Sequence, residues 1–361
     1  MTFLIILVVL LFILLVIGIS FYYYKLIKRF GSIFNKDINK KFILLGIIFA
    51  LLSLNLFSIV GLFLIHFVFT SLFIDLIYLL LKKFINNKIM INIYKLSIVP
   101  LLISILIMGY GYLNIRNIIE VKYQVYSDEV SEDLRILFIS DSHYNEVLGK
   151  DGLSALKKRL DAVSPDLVIL GGDIVDEDTS KEEMEYVFSV FGSIKSRYGT
   201  YFVYGNHDRQ VYTVNQDYTE EDIEKTLLGN DIKVLKDSYV NINGEIILIG
   251  REDYSFKRKS IDDILDKDMS NKYLIMVDHQ PVKYDENVKN SIDLIMSGHT
   301  HGGQIFPTEL FIKLFKTADL SYGYKNVEGM DAIVSSGLVG WGYPIRTSRH
   351  SEYVIIDVKH K

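Results

Sequence analysis

Between residues 134 and 304 the chain repeats one pattern five times. A short apolar run stops, and a side chain able to bind a metal or carry a proton follows at once. "RILFIS" leads into "DSH", with Asp141 and His143. "DLVIL" leads into "GGDIVD", with Asp173 and Asp176. "YFVY" leads into "GNHD", with Asn206, His207 and Asp208. "YLIMV" leads into "DHQP", with Asp278 and His279. "DLIMS" leads into "GHTHGGQ", with His299 and His301. Five of the chain's eight histidines stand just past these runs. Apolar runs of this length, bounded by Gly, Asp and Asn, read as buried strands. "IILIG", "AIVSS" and "YVIIDV" add three more. "DGLSALKKRLDAV" and "KEEMEYVFSVFGSI" read as helices between them. The expectation is an α/β or α+β domain large enough for a substantial core. Ligand sites in open α/β sheets lie beyond the carboxyl ends of the strands, so these side chains are expected to converge.

Imidazoles, carboxylates and an amide suit hard-to-borderline cations such as Mn²⁺, Fe or Zn²⁺. The chain has no cysteine, which excludes disulfides, thiolate metal sites and a cysteine nucleophile. Asp141, His143, Asp173, Asn206, His279, His299 and His301 are more ligands than one ion takes from protein. Two divalent ions sharing a carboxylate would use them, clamp a phosphoryl group and acidify a bridging water. Gly172, Gly205, Gly298 and Gly302 permit tight turns and a close approach of backbone to ion or phosphate. Singly, each motif is an ordinary turn. Their conjunction, each at a strand exit, points to a metal site.

The front of the chain is a different material. Residues 1–115 carry ten Lys or Arg against two acidic residues; residues 116–361 carry 29 against 42. Mean hydropathy is positive, at +0.24. The acidic back half lacks the basic stripe of a nucleic-acid-binding surface. "FLIILVVLLFILLVIGIS" is long enough to cross a bilayer core of about 30 Å, and it reads as a retained helix. The forty apolar residues from Phe42 to Leu81 read as two helices with a turn near 55–61. Four transmembrane helices are expected, at about 3–21, 42–58, 61–81 and 96–113. A linker over 116–133 and a domain over 134–361 follow. Basic loops at 25–41 and 82–95 should both be cytoplasmic. That places the C-terminal domain on the extracytoplasmic side of a multi-pass protein. Asp75 is expected to reach Lys82 or the interface, and His66 to be structural.

The ordered set D-x-H, GD, GNH, H and GHTH resembles the calcineurin-like metallophosphoesterase superfamily over about residues 134–356. "GHTHGGQ" and the anchor look most like its bacterial membrane-associated phosphodiesterases, the UDP-2,3-diacylglucosamine pyrophosphatase-like branch. The resemblance implies a sandwich of two β-sheets flanked by helices. It implies Asp141, His143 and His301 on one metal, Asn206, His279 and His299 on the other, and Asp173 bridging. It also implies His207 as the catalytic group at the leaving oxygen, oriented by Asp208, with Asp176 supporting the site. Arg346 and Glu352 match the family's closing segment, with Ser351 where a proline is usual, and Arg346 is a candidate phosphate contact. Asp176 stands where purple acid phosphatases carry a tyrosine, which argues against a tyrosinate–iron site.

The function expected is a membrane-anchored, manganese-, iron- or zinc-dependent phosphoesterase. It would hydrolyse a phosphodiester or pyrophosphate bond by a metal-bridging hydroxide, without a phosphoenzyme. A lipid- or envelope-linked substrate fits the outer membrane surface, and a cytosolic nucleotide-sugar lipid does not. The alternative is a non-catalytic metal-binding receptor or scaffold on the same fold.

Overall fold

The computed structural model describes residues 2–361 apart from Asp37, Leu56, Phe57, Asn145, Glu146, Asp266, Lys267, Asp268 and Ser270; the side chains of residues 2–8 are not described. The chain divides into two compact units, Met1–Tyr110 and Gly111–Lys361.

The first unit contains α1 (Thr2–Gly31), α2 (Ile43–Leu54), α3 (Ile59–Leu81), α4 (Lys88–Lys95) and most of α5 (Ile98–Asn114). Among the described residues, two helices are long and apolar enough to cross a membrane; the α4–α5 pair, bent by 53°, makes a third if it is one span. Two or three candidate spans are thus shown, where four were expected. With 12 residues, α2 is about 18 Å long, short of a bilayer core. The expected turn includes Leu56 and Phe57, which lie outside the described residues. Lys25 and Arg29 near the end of α1 bond Asp75 near the end of α3, as does Tyr94 of α4. Both basic stretches thus meet at one end of this unit, and Asp75 pairs with α1 rather than with Lys82. His66 is buried, with Nδ1 2.7 Å from the Leu62 carbonyl.

The second unit is a two-sheet α/β sandwich. Its strands are β1 (Ile118–Ser127), β2 (Leu134–Ile139), β3 (Leu167–Leu170), β4 (Thr200–Phe202), β5 (Ile232–Val234), β6 (Ser238–Asn241), β7 (Ile246–Gly250), β8 (Tyr273–Val277), β9 (Leu294–Ser297), β10 (Gly323–Val327), β11 (Met330–Val334) and β12 (Ser351–His360). One sheet has the order β1-β12-β2-β3-β4-β5 and the other β10-β11-β9-β8-β7-β6. Alternation along the strands builds the layers. Ile136 and Phe138 of β2 point into the core between the sheets, against residues such as Leu248, Ile275 and Met296. Leu137 and Ile139 point the other way, toward α6 (Gly149–Val163), α7 (Lys181–Gly192) and α8 (Glu220–Gly229). The outer face of the second sheet is covered by a third apolar cluster, which includes Tyr284 of α9 (Tyr284–Lys289). The last helix is α10 (Thr308–Phe315). Helices α7 and α8 start on complete capping boxes, Ser180 with Glu183 and Thr219 with Asp222.

The stretch 116–133, expected as a linker, contains a strand. β1 pairs in parallel with β12 along its whole length and forms an edge of the first sheet. What matters for the site is the parallel core of each sheet. β2, β3 and β4 run parallel side by side, as do β7, β8 and β9. Neighbouring parallel strands release their following loops at the same edge.

Candidate metal centre

Five loops meet past these strand ends. Asp141 and His143 follow β2, Asp173 follows β3, Asn206 and His207 follow β4, His279 follows β8, and His299 and His301 follow β9. Ligand atoms of Asp141, His143 and His301 lie within 4.8 Å of one another, and so do those of Asp173, His279 and His299. The two groups adjoin at Asp173. Its Oδ2 is 3.0 Å from His279 Nε2 and 3.7 Å from His143 Nε2. Its Oδ1 accepts the His207 backbone N–H.

The backbone is strained to achieve this. Asp141, His143, Asp173, His299 and His301 all adopt positive φ, between 36° and 67°. Each such non-glycine residue costs on the order of 1–3 kcal/mol and persists only where the surroundings enforce it. Glycine is required beside them. A Cβ on Gly298 would meet Asp141 Oδ2 at 2.1 Å. One on Gly172, itself at φ 88°, would meet the Gly205 backbone nitrogen and His279 Nδ1 at 2.6 and 2.7 Å.

Partners outside the cluster orient the imidazoles. His279 Nδ1 is 2.8 Å from the Gly171 carbonyl, so it donates there and turns its Nε2 toward the cluster. His143 Nδ1 lies 3.3 Å from Asp176 Oδ2, which leaves Nε2 facing inward. Burial sets the direction at Asp141, His299 and His301, while at His143 and His279 it is outweighed by Asp176 and Asp173, which raise both rings. It pushes the Asp141 carboxyl up, with Asp173 adding to the rise. It also lowers His299 to about 4 and holds His301 well below the usual histidine range, so both rings are neutral. At Asp173 burial is outweighed by His279 and His143, and this carboxylate stays ionised.

The fit to a cation rests on what these atoms lack. Asp141 Oδ2, His143 Nε2 and Asn206 Oδ1 are buried without a hydrogen-bond partner. Buried polar atoms in a native fold are almost always paired. Here an acidic oxygen, an imidazole and an amide oxygen are left unpaired just past neighbouring strand ends. That donor set fits divalent cations.

Two expected roles change. Asp208 does not orient His207. Its Oδ1 accepts the N–H groups of Ile174 and Val175, and its Oδ2 those of Asp173 and Gly205. All its capacity goes into pinning the Asp173 loop to the loop after β4. The partner of His207 is Glu177, with Oε2 2.7 Å from Nδ1. Arg346, expected at a substrate phosphate, is fully buried. It donates to the carbonyls of His301, Ser336 and Val339. It is a strut that holds the His301 turn, with its terminal nitrogens spent on these carbonyls and its Nε buried without a partner. Glu352 is buried beside it and accepts from Ser336 N–H and Tyr322 O–H.

Sequence reading missed Glu177, although it stands four residues past Asp173 in the same acidic loop. It also missed the aromatic wall around His207. The Trp341 and Tyr212 rings lie 5.0 and 5.1 Å from the His207 ring. Trp341 comes from a loop with no local signal linking it to "GNHD".

The calcineurin-like phosphoesterase family model matches residues 134–303, which contain all seven expected ligands. A Campylobacter jejuni protein named as an uncharacterized metallophosphoesterase is 30% identical over 285 residues, covering 76% of this chain and 72% of its own length. The chain belongs to the calcineurin-like phosphoesterase family. Another relative in this family, from Helicobacter pylori strain J99, is 34% identical over 244 residues, covering 66% of this chain and 63% of its own. A Danio rerio transmembrane protein with a metallophosphoesterase domain is 25% identical over 288 residues, covering 74% and 63%. This calcineurin-like chain thus spans a little under two thirds of the length of the first relatives it matches.

Proposed function

We propose that the protein is a membrane-anchored phosphoesterase that uses two divalent metal ions to hydrolyse a phosphodiester or pyrophosphate bond. The observation that carries this reading is the pair of adjoining groups of buried ligand atoms past the ends of two parallel strand sets, several of those atoms unpaired. Asp141, His143 and His301 would hold one ion. Asp173, Asn206, His279 and His299 would hold the other, with Asp173 shared. Such a pair supplies Lewis acidity, lowering the pKa of water and neutralising phosphate oxygens.

The chain's own residues do the rest. His207 stands beside the ligand cluster, its ring 5.3 Å from that of His143. Glu177 fixes its Nδ1 as the donor, which directs Nε2 toward the leaving oxygen as the proton-transfer group. Trp341 and Tyr212 shield it from water. Asp208 and Arg346 hold the two loops whose displacement would separate the ligands. No side chain is needed as a nucleophile, so no phosphoenzyme forms.

The anchor suggests a substrate at a membrane, such as a lipid phosphate, lipid pyrophosphate or envelope polymer. The meeting of both basic stretches around Asp75 supports a common, cytoplasmic side for them. The α4–α5 segment then carries the phosphoesterase domain to the extracytoplasmic side. A topology reporter fused after Lys361 tests this; a cytoplasmic signal would end the envelope-substrate reading.

The activity is tested on the full chain, stripped of metal and refilled with Mn²⁺, Zn²⁺ or Fe²⁺, using an aryl phosphodiester beside its monoester. Metal-dependent turnover with diester preference is expected. Stoichiometric metal binding without turnover on either ester would instead favour a receptor or scaffold.

A further inference from the structure

Helix α10 is built inside out. A surface helix normally turns its apolar stripe to the core. None of α10's residues is buried. Its polar side faces the domain, where Glu309 pairs with Arg349 and accepts from Ser321. Leu310, Phe311, Leu314 and Phe315 stand 56%, 50%, 71% and 68% exposed, and Phe306 just before the helix is 54% exposed. Their spacing puts the four helical residues on one stripe, and the Phe311 and Phe315 rings stack 6.2 Å apart. Single exposed apolar residues are ordinary. A contiguous patch of five marks an interaction surface.

The position of α10 says what that surface meets. The segment 345–349 holds it, because Thr347 accepts the Phe306 N–H and Arg349 pairs with Glu309. The same segment receives the last turn of α5. Arg346 N–H donates to the Gly111 carbonyl at 3.0 Å. Asn114 donates to the carbonyls of Arg346 and Arg349 at 3.1 and 2.9 Å. Tyr112 and Leu113 of that turn are themselves exposed. Residues 111–114, 345–349 and α10 are therefore one contiguous piece of the C-terminal unit. That piece begins where a candidate span ends. Lys316, just past the helix, adds a positive charge beside the apolar stripe, and Lys313 pairs with Glu309 on the polar side; basic residues beside such a stripe mark helices that lie on anionic bilayers.

The helix is also rooted in the site. The Gln304 side chain, three residues past His301, accepts the Trp341 N–H at 3.0 Å and donates to the Trp341 carbonyl at 3.1 Å. The Trp341 ring packs on His207.

We propose that α10 docks in the bilayer interface, with Phe306, Leu310, Phe311, Leu314 and Phe315 immersed at the headgroup–acyl boundary. It thereby presents the metal site to phosphoesters carried by lipids. The docking rests on the α4–α5 segment being a span, and the substrate class rests on the phosphoesterase reading.

The absence of cysteine makes a clean test. In the full chain, Leu314→Cys carries an environment-sensitive fluorophore, with Phe315→Cys as a second site and Ser189→Cys on α7 as control. The protein is reconstituted into phosphatidylcholine–phosphatidylglycerol vesicles containing lipid with a shallow acyl nitroxide. Blue-shifted emission and strong quenching at 314 and 315, but not at 189, are expected. A label at both sites that stays unquenched overturns the proposal, whether it is water-exposed or covered by protein. In a second arm, Phe311→Glu/Leu314→Glu should raise KM for a vesicle-borne phosphoester about tenfold and leave the soluble aryl diester unchanged. Equal loss on both substrates contradicts a docking role. Quenching without any turnover would leave the docking standing and remove only the phosphoesterase reading.

Discussion

Two clusters of charge, each centred on a carboxylate, stand in this molecule, and they are built on opposite plans. In the helical unit, Asp75 is saturated. Its Oδ1 accepts from Arg29 and Tyr94, and its Oδ2 from Lys25 and Tyr22. In the sandwich, Asp141 accepts one backbone N–H, from His299, on Oδ1, and its Oδ2 is left unpaired. Both carboxylates would be flagged by sequence alone as charges in apolar surroundings. A saturated carboxylate has finished its task within the fold. An unsaturated one, converging with other unsaturated side chains on a strained backbone, is a candidate cation ligand. The comparison assigns Asp75 to structure and the strand-exit cluster to chemistry.

The largest expected effect follows from removing the shared ligand. Asp173→Ala should lower metal-dependent turnover by about 10³-fold or more, since two-metal charge stabilisation amounts to several kcal/mol. Activity retained within a few-fold would break the comparison at its functional end. Next comes the proton-transfer pair. His207→Ala should cost roughly 10²–10⁴-fold in kcat. Glu177→Gln should cost less, and its effect should depend on pH. Metal content measured alongside should stay unchanged in both variants.

Arg346 sharpens the division between strut and ligand. Arg346→Met strands the buried carbonyls of Ser336 and Val339, each worth on the order of 1–3 kcal/mol. Thermal denaturation should show a clear fall in Tm. A raised KM at unchanged Tm would restore the substrate contact that the structure removes. Asp75→Asn should destabilise by about 1–3 kcal/mol and leave turnover on a soluble ester unaltered. Loss of turnover at unchanged stability would mean that the helical unit takes part in the chemistry.

The smallest effect concerns an ordinary buried carboxylate. Burial pushes the Asp293 carboxyl up to about 6. A carboxyl raised on folding is unfavourable once ionised. The unfavourable contribution is absent below the unfolded pKa and grows as pH rises toward 6. Asp293→Asn should therefore be neutral at pH 4 and stabilising at pH 7, by on the order of 1 kcal/mol given its partial exposure. A melting-temperature difference independent of pH would contradict this.

How much of the fold was legible follows the sheet positions. The eight apolar runs read as strands are β2, β3, β4, β7, β8, β9, β11 and β12, and every one is interior to its sheet. The four strands missed are β1, β5, β6 and β10, the edges of the two sheets. Interior strands are buried on both faces and read as continuous apolar runs. Edge strands such as "IIEVKYQVYS" and "GYKNV" alternate or stay polar, and the first passed for a linker. Helix α2 was overestimated for a related reason. Hydropathy measures apolar length, and it does not see where Asn55 ends a helix.

In the site, the candidate ligands were legible because each loop keeps its own short motif beside a strand end. Relations between loops were not. Asp208 is adjacent to His207 in the chain, yet it bonds the Asp173 loop, and Glu177 from that loop reaches back to His207. Arg346 looked like a phosphate contact because a guanidinium suits one. Only its burial against three carbonyls shows where its donors go.

The most direct test of the central claim counts ions. The full chain, stripped and dialysed against excess Mn²⁺ or Zn²⁺, should hold two per chain by elemental analysis. Asp173→Ala should hold at most one, and Asp75→Asn should still hold two. A wild-type chain that binds none would contradict the assignment of the unpaired cluster to metal.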